Sequence, residues 1–130
     1  MKTFTRAALL CLGLLTGNSL LAADVADIKP DALLARTAKH DAALVILDVR
    51  TPEEFAQGHV PGAKNIPHDQ LPNRIAEIMG DKDKDIVLYC RSGRRAGLAA
   101  ETLQANGFHK LLHLEGDMLQ WTEANRAVEK

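Results

Sequence analysis

Residues 85–95 read DIVLYCRSGRR. Asp85–Tyr89 is a short β-rich apolar run, the pattern of a strand covered on both faces of a parallel sheet. Cys90 follows it directly, and Arg91, Ser92, Gly93, Arg94 and Arg95 follow Cys90. Beyond them Ala96, Ala99, Ala100 and Leu103 recur at helical spacing, with Asn106-Gly107 as a stop. The stretch is therefore strand, loop, helix, with a cysteine at the head of the loop. In an open parallel sheet the ligand site lies beyond the carboxyl ends of the strands, which is where Cys90 falls.

The physics of that loop can be read directly. Successive backbone N–H groups in such a turn form an anion nest. The helix N-terminus adds partial positive charge, and Arg91, Arg94 and Arg95 add full charges. Each favours thiolate over thiol at Cys90. Gly93 permits a backbone angle that a side chain would oppose. A thiolate held this way is a nucleophile suited to an anionic substrate. Arg91 and Arg95 are the expected anion-binding side chains. Arg94 faces either the anion or solvent. The bland alternative is a buried structural cysteine beside exposed arginines, but it leaves three arginines and a glycine within five residues unexplained.

The same alternation extends in both directions. Val25–Ile28 is expected as an edge strand and Pro30–Lys39 as a helix. Leu44–Val49 is a second buried-type strand. Thr51 and Pro52 then open a short helix with Glu53 and Glu54 in its first turn, ending at Gly58. Ala63–Ile66 is a short strand, and Leu71, Ile75, Ile78 and Met79 mark one helix. Lys110–Leu114 is a further strand, and a last helix carries Met118 and Trp121, the latter a core residue. The expectation is an α/β domain with a central, mostly parallel sheet of about five strands and helices on both faces.

Composition narrows the function. The 130 residues carry 16 Lys+Arg against 17 Asp+Glu, a net charge of -1 that argues against a general nucleic-acid binder. Only 4% are aromatic, too few for a base-stacking platform. Two cysteines, Cys11 and Cys90, cannot make a disulfide scaffold or a four-cysteine zinc site. Residues 1–23 have the order of a secretory signal: Lys2 and Arg6, the apolar run Ala7–Leu15, then Ala22 and Ala23 as a cleavage point. That run is shorter than the ~20 residues of a membrane span. The expected mature domain is 24–130, periplasmic or secreted, without membrane contact after cleavage and with Cys90 as its one thiol.

Three separated motifs resemble rhodanese domains. Asp48-Val49-Arg50-Thr51-Pro52-Glu53-Glu54-Phe55, with Gly58-His59-Val60-Pro61-Gly62-Ala63 and Asn65-Ile66-Pro67, is similar to their first signature. Cys90–Arg95 is similar to their active-site loop. Gly107-Phe108, Leu114, Gly116 and Trp121 resemble their closing signature, with Asp117 where the family often has a second glycine. The resemblance implies a sulfur relay. Cys90 would take the outer sulfur of a small anionic donor such as thiosulfate, become a persulfide, and pass the sulfur to a thiophilic acceptor such as cyanide or a thiol. The resemblance implies no metal or organic cofactor. The alternatives are a persulfide carrier serving a protein acceptor and a rhodanese-like phosphatase. Related dual-specificity phosphatases place five residues between cysteine and arginine. Cys90 and Arg95 have four between them, a smaller cradle that suits sulfur better than a phosphoryl group.

Some residues admit two readings. Asp48 and Arg50, at the end of a neighbouring strand, either face the site or form a near-surface ion pair that pins the following loop; the pair is the expected role. His59 reads as a turn histidine bonded to backbone, with general base as the alternative. His109 and His113 lie four apart on one strand face, with no third metal ligand evident.

Overall fold

The computed structural model describes residues 25–130. The expected signal segment lies outside the described residues. Five strands, β1 (Ala26–Ile28), β2 (Leu44–Asp48), β3 (Lys64–Asn65), β4 (Asp85–Tyr89) and β5 (Leu111–Leu114), form one sheet in the order β1-β5-β4-β2-β3. Every pairing is parallel. The helices are α1 (Pro30–Ala38), α2 (Pro52–Gln57), α3 (Leu71–Arg74), α4 (Arg94–Ala105) and α5 (Asp117–Glu123), with a 3-10 helix over Ile75–Asp81.

Alternation along β4 divides the core into two layers. Ile86, Leu88 and Cys90 face one side, packed with Leu71 and Ile78 from the α3 region and with Ala96, Ala99 and Leu103 of α4. Val87 and Tyr89 face the other side, with Leu33 of α1 and Met118 and Trp121 of α5. Trp121 is fully buried, as expected of a core residue. The central strand thus delivers Cys90 at its carboxyl end, between β2 and β5.

Two local expectations need correction. The stretch Leu71–Met79 is not one α-helix: four residues of α3 pass into the 3-10 helix. At three residues per turn, Ile75 and Ile78 fall on one side. Ile78 is buried and Ile75 half-buried against the core, whereas Met79 rotates outward to 41% exposure. The strand expected at Ala63–Ile66 shortens to Lys64–Asn65, an edge strand closed in by Pro67.

The Asp48–Arg50 pair is also not near the surface. Asp48 is 0% exposed and Arg50 5%. Arg50 Nη2 donates to Asp48 Oδ2 at 2.6 Å and Nε to both carboxylate oxygens at 3.0 Å. The Tyr89 hydroxyl donates to Asp48 Oδ2 at 2.7 Å and accepts the Val60 N–H at 3.1 Å. Arg50 Nη2 also reaches the Gly58 carbonyl at 2.8 Å. The cluster joins the ends of β2 and β4 to the segment after α2, one residue before Cys90. Burial works against the Arg50 charge, but Asp48 outweighs it and holds the guanidinium protonated. Burial, then Asp48, pushes the Tyr89 phenol far above its ordinary range.

Asp48→Asn leaves Arg50 buried without its counter-charge. We expect a loss of about 3–5 kcal/mol in unfolding free energy, measured by urea titration. A loss under about 1 kcal/mol would show that water or another group compensates Arg50.

Candidate functional site

Cys90 is 1% exposed and sits where β4 ends. Its Sγ accepts the Gly93 N–H at 2.9 Å. Gly93 is the N-cap of α4, with φ +115, a conformation that L side chains rarely adopt. A Cβ there would stand 3.3 Å from Asp117 Oδ2. Glycine therefore lets the chain turn into α4 while aiming an amide at sulfur. The loop is fixed from below by α5. Met118 N–H donates to the Cys90 carbonyl at 3.0 Å and Leu119 N–H to the Arg91 carbonyl at 3.1 Å, so the first-turn amides of α5 find their acceptors in the loop.

The three loop arginines differ. Arg91 and Arg94 are exposed, as is Ser92. Arg91 lines a cleft of ≈ 360 Å³ with Arg50, Glu54, Gln57, Met118 and Leu119. Arg95, expected to bind an anion directly, is instead engaged: Nη1 and Nη2 donate to the two oxygens of Glu54 at 2.6 and 3.0 Å. Glu54 also closes the capping box of α2, its N–H donating to Thr51 Oγ1 at 3.2 Å. The Arg95 guanidinium holds the Glu54 carboxyl down at about 2. Arg95 therefore clasps α2 to α4 beside Cys90, and the exposed positive charge is that of Arg91 and Arg94.

The other candidates fall as follows. Asp48 and Arg50 support the loop from the end of β2. His59 Nδ1 lies 2.9 Å from the Phe55 carbonyl and so donates to it, with the ring stacked on Phe55 at 3.6 Å; it is bonded to backbone as expected, but in an antiparallel bridge to Glu129 instead of a turn. His109 is exposed ahead of β5, apart from His113. A role that sequence reasoning missed belongs to Asp117. This buried residue adopts φ 53, and its Oδ1 accepts the Cys90 N–H at 3.0 Å. His113 Nε2 lies 3.0 Å from both Asp117 oxygens. The available signal was an acid at a glycine-like turn position, four residues after a histidine inside an apolar strand.

Comparison with known proteins agrees with this architecture. The sequence profile of the rhodanese-like domain matches residues 29–124. A sulfurtransferase of Allochromatium vinosum is 39% identical over 97 residues, which cover 75% of this chain and 88% of that protein. A candidate sulfur carrier protein of Bacillus subtilis, YrkF, is 38% identical over 82 residues; the match covers 63% of this chain but only 43% of that protein. Among solved structures, a rhodanese-related protein of Thermoplasma volcanium superposes with a TM-score of 0.68 at 27% identity, covering 80% of this chain and 97% of the other.

The clasp makes an acid-limb prediction. The Glu54 carboxyl is lowered from 4.5 to about 2, so its stabilisation is present above the unfolded value and lost as pH falls through about 2. Glu54→Gln keeps an oxygen acceptor for the cap but removes the charge. It should lower stability at neutral pH by about 1 kcal/mol, discounted for partial exposure. The deficit should vanish toward pH 2 in urea titrations across pH. A deficit independent of pH would assign the effect to capping alone.

Proposed function

Because the chain belongs to the rhodanese-like domain family, we propose that it is a thiosulfate sulfurtransferase working through a Cys90 persulfide. The observation that carries this reading is Cys90 Sγ at the end of the central strand, accepting the N–H of Gly93, the N-cap of α4, with four residues between Cys90 and Arg95. The Cys90 thiolate attacks the outer sulfur of thiosulfate. A sulfur–sulfur bond forms to Cys90, the bond to the sulfonate sulfur breaks, and its electron pair leaves with sulfite. Cyanide or a thiolate then attacks the outer sulfur of the persulfide, and the pair of the breaking bond returns to Cys90. Splitting the transfer in two gives ping-pong kinetics.

The residues divide the work. The Gly93 amide and the α4 N-terminus stabilise charge on sulfur in both the thiolate and the persulfide. Arg91 and Arg94 draw in the dianionic donor. Arg95, with Glu54, keeps the start of α4 in place and contributes its field to Cys90. Asp48 and Arg50 hold the end of β2 against that of β4. Ser92 lies at the exposed turn of the loop. The similarity to YrkF favours a second reading in which the persulfide serves a protein acceptor; the chemistry at Cys90 is then the same. For location, the order Lys2, Arg6, apolar run, Ala22-Ala23 supports export to the periplasm or beyond.

Intact mass spectrometry tests the reaction. Incubation with thiosulfate should add the mass of one sulfur atom, cyanide should remove it as thiocyanate, and Cys90→Ser should show neither change. Hydrolysis of aryl phosphates without sulfur uptake would replace this reading with the phosphatase one. For export, protein recovered from the producing cell should begin near Asp24; a full-length chain embedded in membrane would reject cleavage.

A further inference from the structure

His113 and Asp117 stand on the β5 side of the Cys90 loop, across β4 from the Arg95–Glu54 clasp. Asp117 is 3% exposed and His113 about a quarter. The carboxylate borders the amide-to-sulfur contact. Its Oδ1 takes the Cys90 N–H, and its Oδ2 lies 3.3 Å from where a Cβ would stand on Gly93, whose amide donates to Sγ. A buried carboxylate behind a thiolate opposes ionisation of that thiolate unless something neutralises it.

The neutralising group is His113. From β1, Asp27 Oδ1 approaches its Nδ1 at 3.4 Å. From α5, Asp117 meets its Nε2. From the β5–α5 turn, Glu115 lines the same cleft. The α4 side presents Gly93, Ala96, Gly97 and Ala100. Among the described residues, neither cleft beside His113 has a lysine or arginine in its lining. His113 is thus a cation site among acids.

We propose that His113 is a positioning residue whose proton controls the charge that Asp117 presents to the Cys90 loop. As imidazolium it donates to Asp117, orients the carboxylate toward the Cys90 N–H and cancels its charge. When the proton leaves, Asp117 remains buried and uncompensated behind the nucleophile, and the thiolate becomes harder to form. The hydrogen bond to Asp117, opposed by burial and aided by Asp27, raises His113 above its ordinary 6.5. The paired form therefore persists above the pH at which a free histidine is deprotonated. Linkage is reciprocal: negative charge on Cys90 must strengthen proton binding at His113. Asp117 holds this position at a left-handed φ of 53, which glycine would adopt without steric cost.

This inference rests on Cys90 being the nucleophile, as proposed above, and its test reads ionisation, not sulfur transfer. Thiolate absorbance is followed against pH in the full chain, each protein taken as the difference from its own Cys90→Ser counterpart. His113→Gln should raise the Cys90 midpoint by about one pH unit, since the carboxylate is left without its cation. Adding Asp117→Asn should return the midpoint to the wild-type position, a rescue that packing damage would not give. Asp117→Asn alone, which keeps an acceptor for the Cys90 N–H, should lower the His113 midpoint seen by NMR. An unchanged Cys90 midpoint in His113→Gln, a rise that persists in the double variant, or an unmoved His113 midpoint in Asp117→Asn would each overturn the proposal. Thiosulfate uptake that fails while this coupling holds would instead reject the sulfurtransferase reading alone.

Discussion

The carboxylate of Asp48 is the point from which the site is built. It lies at the end of β2 with no access to water, and it is hydrogen-bonded by the Arg50 side chain, the Arg50 backbone N–H and the Tyr89 hydroxyl. Tyr89 precedes Cys90 on the adjacent strand, and its hydroxyl also accepts the Val60 N–H. One carboxylate therefore sets the height of β2 against β4 and ties in the chain that follows α2. A buried ion pair is weak as a source of net stability, because desolvation cancels much of the Coulomb gain. Its use here is geometric: three segments are held in one register directly under the nucleophile.

Around Cys90 the charges are mostly matched internally. Arg50 is matched by Asp48, Arg95 by Glu54 and His113 by Asp117. Arg91 and Arg94 are left exposed on the loop. The distinction governs what each charge can do. A guanidinium held by a buried or half-buried carboxylate organises the loop but has fewer donors free for a ligand, whereas an exposed one keeps its donors and is screened by salt. An anion approaching the cleft beside Arg91 meets a positive rim over a nearly neutral interior.

Much of this was legible in the residues. The continuous apolar run of β4 set both its ends, and Thr51, Pro52 and Gly58 marked α2 because each has a local backbone reason to be there. Cys90 could be placed at the carboxyl end of a strand for the same cause. What escaped depended on partners distant in sequence. Arg95 reads as a free cation until Glu54, 41 residues away, is brought beside it. Asp117 reads as a departure in a turn until its side chain meets Cys90, 27 residues away. The four-residue step from Leu71 to Ile75 is that of an α-helix, but the three-residue step from Ile75 to Ile78 suits α and 3-10 geometry alike, and only the packing of Ile75 and Ile78 chooses between them.

The strand order has a consequence for how the molecule comes into being on the ribosome. β1 is an edge strand whose partner is β5, and Asp27 meets His113 across 86 residues of chain. β2 and β4 can pair once residue 89 has emerged, but β1 must wait, its backbone groups unpaired, until β5 has been synthesised. The same delay applies to Cys90, whose amide has no carboxylate to meet until Asp117 has left the exit tunnel. The nucleophile is made directly after the last residue of β4, and the carboxylate that receives its amide arrives 27 residues later.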